Sequence, residues 1–315
     1  MAVVSRETRE KVLDAARDLS YVTALDALRA QAAPRRTVAV IVPFITRWYF
    51  GAVASAAVDN LRDHGYDVLL YHLGSVEVRD AFFERMPLAG RVDGILSLSM
   101  PLTEQHTLSL RSLDMPLVSV GSIIPGAPAV GIDDVAAARS AVNHLVNLRH
   151  QRIGLIAGSP DDERFEFASS ASRRLGYRQA LETAGIAFDP DLVASGAFGA
   201  AGGASAMTEL LSRQAMPTAV LVEYEELAYG ALWAIQRAGL RVPHDVSVVS
   251  IDDQEMAQFH DLTTVAQDPQ EQGRIAARML LQRLGADKGT PPLELVVVPT
   301  RLVLRGSTGP VSPHS

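Results

Sequence analysis

No cysteine occurs in the 315 residues, which excludes disulfides, thiolate metal sites and cysteine nucleophiles together. No apolar run approaches the ~18 residues needed to cross a bilayer. Residues 6–18 are charged throughout, so the amino terminus shows no basic-then-apolar signal pattern, and a cytoplasmic chain is expected. Nucleotide and hydrolase motifs are missing as well. Gly196, Gly199, Gly202 and Gly203 supply glycines at the wrong spacing for a dinucleotide fingerprint. There is no phosphate loop, no Gly-x-Ser-x-Gly elbow and no His-Glu-x-x-His. His144 and His150, six apart, do not share a helix face and read as structural or surface groups. Neither catalysis, a cofactor, nor a metal is expected.

What remains is a large apolar content arranged in a rhythm. Apolar residues make up 48 % of a chain long enough for two cores. Strand-like runs fall at 38–42, 68–71, 94–98, 117–120, 153–157, 219–222, 246–251 and 295–298. Helix-period stretches lie between them at 53–61, 135–148, 173–184, 227–238 and 270–284. Continuous Val/Ile/Leu runs mark strands buried on both faces, and their alternation with helices predicts an α/β chain of parallel sheets. The rhythm restarts at Arg152-Ile153-Gly154-Leu155, which predicts two successive open sheets with a cleft between them. Ligands in such sheets sit beyond the carboxyl ends of strands. That selects the loops 44–50, 97–101, 121–125, 158–173, 223–226, 252–254 and 267–269. Asp252 and Asp253 fall in one of them and could cap a helix or accept hydrogen bonds from a polyol.

Charge divides unevenly along the chain. Residues 1–36 carry a balance of about +2 and the rest −9, within a total of −7. Any nucleic-acid contact therefore belongs to the amino-terminal end, although a solvated helix face explains so small an excess equally well. Residues 5–21 form an amphipathic helix pattern, with Val12, Ala15, Ala16 and Leu19 on one face and Ser5 as a cap.

A series of segments, in order and at compatible spacing, resembles the lactose-repressor family of transcription regulators from about residue 4 to 305. It includes Val4-Ser5-x-x-Thr8-Arg9, Arg91-Val92-Asp93-Gly94, Gly131-Ile132-Asp133-Asp134 and Arg173-Arg174-Leu175-Gly176-Tyr177. Glu225-Glu226-Leu227-Ala228, Val242-Pro243-x-Asp245-Val246-Ser247, Ile251-Asp252-Asp253 and Leu262-Thr263-Thr264-Val265-x-Gln267 complete it. The resemblance implies a DNA-reading headpiece, a hinge in the minor groove, and a periplasmic-binding-protein-like core that dimerises. Effector in the cleft would alter the angle between the two halves and so operator affinity. Residues 5–21 match the last headpiece helix, and the helix pair for the major groove is expected to be missing from this chain, so operator DNA is a partner only of a complete headpiece.

The resemblance further implies residues 1–37 as residual headpiece and hinge, 38–150 plus 268–299 as one subdomain, 151–267 plus 300–306 as the other, and 307–315 as a tail. Three crossings are placed near residues 150–152, 264–268 and 299–301. Arg173 matches the family's effector-binding arginine, Asp252 its acidic acceptor, and Gln267 a crossover residue that contacts ligand. Phe44 and Trp48, in place of a polar residue and a proline, would stack on a flat ligand face. Tyr224 and Glu225 replace the usual Asn-Asp, and Gly121 replaces an aspartate. A sugar or related metabolite is the expected effector, with a plain monosaccharide less favoured. Arg6, Arg9, Leu28 and Arg29 are the candidate DNA and hinge residues; ungapped counting puts Ala30 at the wedge position, a small shift Leu28. The stripe Val53, Ala54, Ala57, Val58 and Leu61 is expected at a homodimer seam. Replacing Arg173 with alanine is expected to weaken effector binding tenfold or more with the fold intact. A solute-binding protein of a sugar transporter shares this core and is the alternative reading, with an enzyme on the same layout the third.

Overall fold

The computed structural model describes residues 35–158, 167–285 and 295–311. The amino-terminal helix pattern and the candidate residues Arg6, Arg9, Leu28 and Arg29 lie outside the described residues. Two six-stranded sheets form the framework. The first contains β1 (Thr37–Val42), β2 (Asp67–His72), β3 (Gly94–Leu98), β4 (Leu117–Val120), β5 (Ala129–Gly131) and β11 (Leu295–Val297), ordered β11-β5-β4-β3-β1-β2 and parallel throughout. The second contains β6 (Ile153–Gly158), β7 (Val193–Gly196), β8 (Ala219–Val222), β9 (Ser247–Asp252), β10 (Thr263–Ala266) and β12 (Arg301–Val303). Its order is β12-β10-β9-β8-β6-β7, and only β12 runs antiparallel to its neighbour. The aliphatic runs of β3, β4, β6 and β8 are buried along their whole length, as helices on both faces require.

Nine α-helices are described: α1 (Trp48–Asp63), α2 (Val76–Arg85), α3 (Glu104–Arg111), α4 (Asp134–Asn147), α5 (Ala168–Thr183), α6 (Ala200–Leu211), α7 (Glu225–Arg237), α8 (Glu255–Phe259) and α9 (Pro269–Gly285). Packing assigns them to the sheets and moves one expected boundary. Ala137, Ala138, Ala141, Val142 and Leu145 of α4 are buried with Ile153, Leu155 and Tyr177 in a cluster of the second sheet. The first crossing therefore precedes α4, just after β5, rather than at residues 150–152. The other two links between the sheets run between β10 and α9 and between β11 and β12.

The expected tail is also corrected. Ser307 is buried and accepts from the Val248 amide at 2.8 Å, while its own amide donates to the Asp261 carbonyl. His150 bonds the Gly309 carbonyl at 3.0 Å and His144 the Thr308 hydroxyl at 2.9 Å. Both imidazoles thus bind the last described segment to the second sheet, with their pKa values lowered mainly by burial.

Small residues set how closely two helix pairs approach. A Cβ on Gly273 of α9 would lie 2.4 Å from the Val53 carbonyl oxygen of α1. Val53, Ala54, Ala57 and Leu61 are accordingly buried in the chain's own first core, so the stripe expected at a dimer seam is consumed within one chain. The glycines that fail as a nucleotide fingerprint serve the same purpose. A Cβ on Gly203 of α6 would sit 1.9 Å from the Leu227 carbonyl oxygen, and one on Gly230 of α7 1.8 Å from that of Ala200. Helices α6 and α7 meet backbone to backbone.

Candidate functional site

A cavity lies between the carboxyl ends of the two sheets. It is lined from the first by Arg47, Tyr49, Phe50, Ser99 and Gly121, and from the second by Ser169, Arg173, Phe198, Tyr224, Glu226 and Asp252. Phe167, Ile132, Asp134 and the crossover residue Gln267 complete it. Every one except Ile132, Asp134 and Phe198 falls in a loop that strand-end reasoning selects.

Arg173 is the centre of the polar wall. It projects from α5, is 3 % exposed, and donates through Nε to Asp134 Oδ1 at 2.7 Å. Its Nη1 donates to the Glu223 backbone carbonyl, and its Nη2 lies 4.0 Å from Asp252 Oδ1. Burial would lower the guanidinium pKa, but the two carboxylates outweigh it and raise it. Burial raises both carboxylates above the usual range, Asp252 strongly, and Arg173 holds them down. A side chain this enmeshed is structural as well as cavity-facing. The expectation that alanine at 173 leaves the fold intact is therefore corrected.

Two carboxylates that do not line the cavity shape its walls. Glu223, fully buried, accepts from the Gly158 amide at 3.0 Å, the Ser170 hydroxyl at 2.7 Å and Arg174 Nε at 3.4 Å. It fixes the first turn of α5, which has no side-chain cap of its own, and with it the direction of Arg173. Glu225 accepts the amides of Asp253 and Gln254, each at 2.8 Å, and the Tyr229 hydroxyl at 3.1 Å. Those bonds hold Asp252 and Asp253 at φ 142° and 64°, conformations that L residues rarely adopt. Glu225 is thus turned into the protein, and its neighbour Glu226 takes the place in the cavity that the sequence suggested for it.

Of the other expected contacts, Arg173, Tyr224, Asp252 and Gln267 line the cavity, whereas Phe44 and Trp48 do not. Helix phase is the reason for Trp48. It lies about 200° around α1 from the buried Phe50, at 100° per residue, so Tyr49 and Phe50 reach the cavity instead. Phe44 sits one layer back, with the Arg47 guanidinium 4.0 Å over its ring. Arg47 is also 3.9 Å from the Phe198 ring, so one cation joins an aromatic ring of each half across the cleft. Asp134 was legible only as part of the Gly131-Ile132-Asp133-Asp134 motif, in which Asp133 caps α4 by accepting the Ala136 amide.

The periplasmic binding protein-like domain profile matches residues 142–308. The repressor CytR of Escherichia coli K12 is 34 % identical over 310 residues, covering 97 % of this chain and 89 % of that protein. The chain belongs to the LacI family of transcriptional regulators. The regulator CelR in complex with cellobiose superposes with a TM-score of 0.76 at 30 % identity, covering 96 % of this chain and 91 % of that one. A LacI-family regulator of Enterococcus faecium with bound ribose gives 0.75 at 27 % identity, over 87 % and 99 %. These matches favour a regulator of this family over the transporter component of the same core fold, and the relatives named are regulators rather than enzymes.

Proposed function

We propose that this LacI-family chain senses a small-molecule effector, a sugar or related metabolite, in the cleft between its two sheets and passes that state to operator DNA. The observation that carries the reading is the buried Arg173 between Asp134 and Asp252, opening onto a cavity ringed by Tyr49, Phe50, Phe167, Phe198 and Tyr224. Aromatic faces suit the flat side of a ring, and the polar wall suits its hydroxyls. DNA contact belongs to the amino-terminal region, and the protein works in the cytoplasm. Asp134, Glu226 and Asp252 outnumber Arg47 and Arg173, so the wall favours neutral, donor-rich ligands over anions.

A thermal-shift screen tests this directly. Sugars and nucleosides should raise the melting temperature, while sugar phosphates and small aromatic acids should not. Stabilisation by the anionic members alone would overturn the charge argument. For a hit, Arg173→Lys keeps the charge but removes the planar donor fork. Leaving a buried ligand acceptor unpaired costs about 1–3 kcal/mol, so calorimetry should show affinity lowered tenfold or more.

A homodimer is the proposed assembly, now through a different surface from that read in the sequence. Trp233 of α7 and Met256 and Phe259 of α8 are 58 %, 49 % and 71 % exposed. Tyr229, one turn before Trp233, packs its ring 4.9 Å from that of His260 beside α8, which makes the two helices one apolar face. A second copy of the chain covers that face. Sedimentation should find a dimer at micromolar concentration and a monomer for the Trp233→Glu, Phe259→Glu double variant. A monomeric parent, or a variant that remains dimeric, rules the interface out.

A further inference from the structure

A line of hydrogen bonds crosses the cleft floor from one sheet to the other. Tyr49 Oη donates to Gln272 Oε1 at 2.7 Å, Gln272 Nε2 donates to Gln267 Oε1 at 3.0 Å, and Gln267 Nε2 donates to Asp252 Oδ1 at 2.6 Å. The line starts on α1, passes through α9 and the crossover, and ends on β9. Gln272 is wholly buried. Tyr49 and Gln267 and Asp252 also line the cavity.

The direction of this line is fixed at one end. A carboxylate only accepts, whereas a carboxamide has one accepting and one donating end. Asp252 beside Arg173 therefore obliges Gln267 to present its NH2 group. That turns the Gln267 oxygen toward Gln272, which answers with its own NH2 group and turns its oxygen to Tyr49. The phenol must spend its single proton there. Flipping one amide alone would set donor against donor or acceptor against acceptor, inside a site where an unmet polar group costs about 1–3 kcal/mol. The orientation thus follows from Asp252 Oδ1 accepting from Gln267 beside the Arg173 guanidinium.

Space for the phenol oxygen comes from Gly121. A Cβ there would lie 2.9 Å from Tyr49 Oη and 2.1 Å from Ser99 Oγ, and the residue has φ +72°. Ser99 Oγ is a hydrogen-bond neighbour of the phenol and lies 3.2 Å from the Val120 carbonyl; with its proton on that carbonyl, the Tyr49 oxygen is left to accept from the cavity it lines.

We propose that Tyr49 is a specificity-determining residue of the cleft: its proton is committed to Gln272, so its oxygen meets a ligand as an acceptor only. Gln272 and Gln267 are positioning residues that carry the polarity from Asp252. The cleft then selects a ligand with a hydroxyl or N–H donor at that point and refuses a keto or ether oxygen there. The proposal rests on the reading of the cleft as an effector site, but its polarity can be measured without any ligand.

The intensity ratio of the tyrosine ring doublet in Raman spectra reports whether a phenol donates or accepts. Subtracting the spectrum of Tyr49→Phe isolates Tyr49. A donor signature is expected in the ligand-free protein. Gln272→Met removes the oxygen to which Tyr49 donates, so the donor signature should vanish. An acceptor signature in the parent, or a donor signature that persists in Gln272→Met, overturns the proposal. If Gln272→Met does not fold, the parent signature alone still decides, since an acceptor reading refutes the line. With a sugar or nucleoside found by the thermal-shift screen, Tyr49→Phe should weaken binding about tenfold. Unchanged affinity would remove the specificity role even with the Raman result as expected, whereas a screen without hits would count against the effector site and leave the measured polarity standing.

Discussion

Replacing Arg173 with alanine is expected to cost about 3–5 kcal/mol of folding stability at neutral pH, the usual range for removing one partner of a buried ion pair. The substitution leaves Asp134 and Asp252 facing each other inside the cleft with no cation between them, and leaves the Glu223 carbonyl without its donor. The pH dependence identifies the cause. Burial already raises both carboxyl pKa values in the folded protein, and Arg173 is the foremost influence that lowers them. Without it they rise further above the unfolded value near ~4. The folded variant then holds protons that the unfolded chain releases, so its stability increases as pH falls through the raised pKa values. Urea denaturation should show the deficit shrinking from pH ~7 toward ~5. A deficit that is flat with pH, or that grows on acidification, would show that lost packing rather than uncompensated charge is responsible.

The second large effect is expected where α6 meets α7. Gly203→Val places branched carbon where even a Cβ lies 1.9 Å from the Leu227 carbonyl oxygen. The obstruction is backbone, which cannot swing aside as a side chain can. Overpacking costs about 1–3 kcal/mol and occasionally more, and a rigid helix on both sides puts this case at the upper end. Against a total stability of about 5–15 kcal/mol, chemical denaturation should find a shift of at least ~3 kcal/mol. Gly285→Ala is the control, because no described residue lies within 4 Å of its Cβ and its φ is ordinary. It should stay within ~0.5 kcal/mol of the parent. A tolerated valine at 203 would mean that α6 and α7 can separate, contrary to the packing described.

What could be read in the sequence followed from how strongly burial marks a segment. Strands β3, β4 and β8 coincide with their aliphatic runs because both faces are covered. Strands β5, β7, β10 and β12 were missed. Two of them have only three residues, and Thr263 in β10 is buried through side-chain bonds rather than apolarity, its hydroxyl meeting the Arg305 carbonyl. Helix α6 was hidden by its glycines, which look like a loop until the facing backbone is known. In the site, the strand-end rule located the loops, and family likeness located Arg173, Asp252 and Gln267. Neither could give the phase of α1, which brings Tyr49 to the cavity and leaves Trp48 out. Nor could they show Glu225 turned inward, because its partners are amides rather than side chains.

The three crossings between the sheets also determine how the protein must be made. Neither half is a continuous stretch of sequence, and each is finished late. The first sheet needs β11, the second needs β12, and Ser307 closes the second beside Val248. A ribosome emits the amino-terminal part first, at about 5–20 residues per second. A nascent chain ending near residue 285 therefore carries both nuclei with an unpaired margin on each, β5 lacking β11 and β10 lacking β12. Such margins invite pairing with other chains. Both margins are thus covered only once β11 and β12 have emerged and paired.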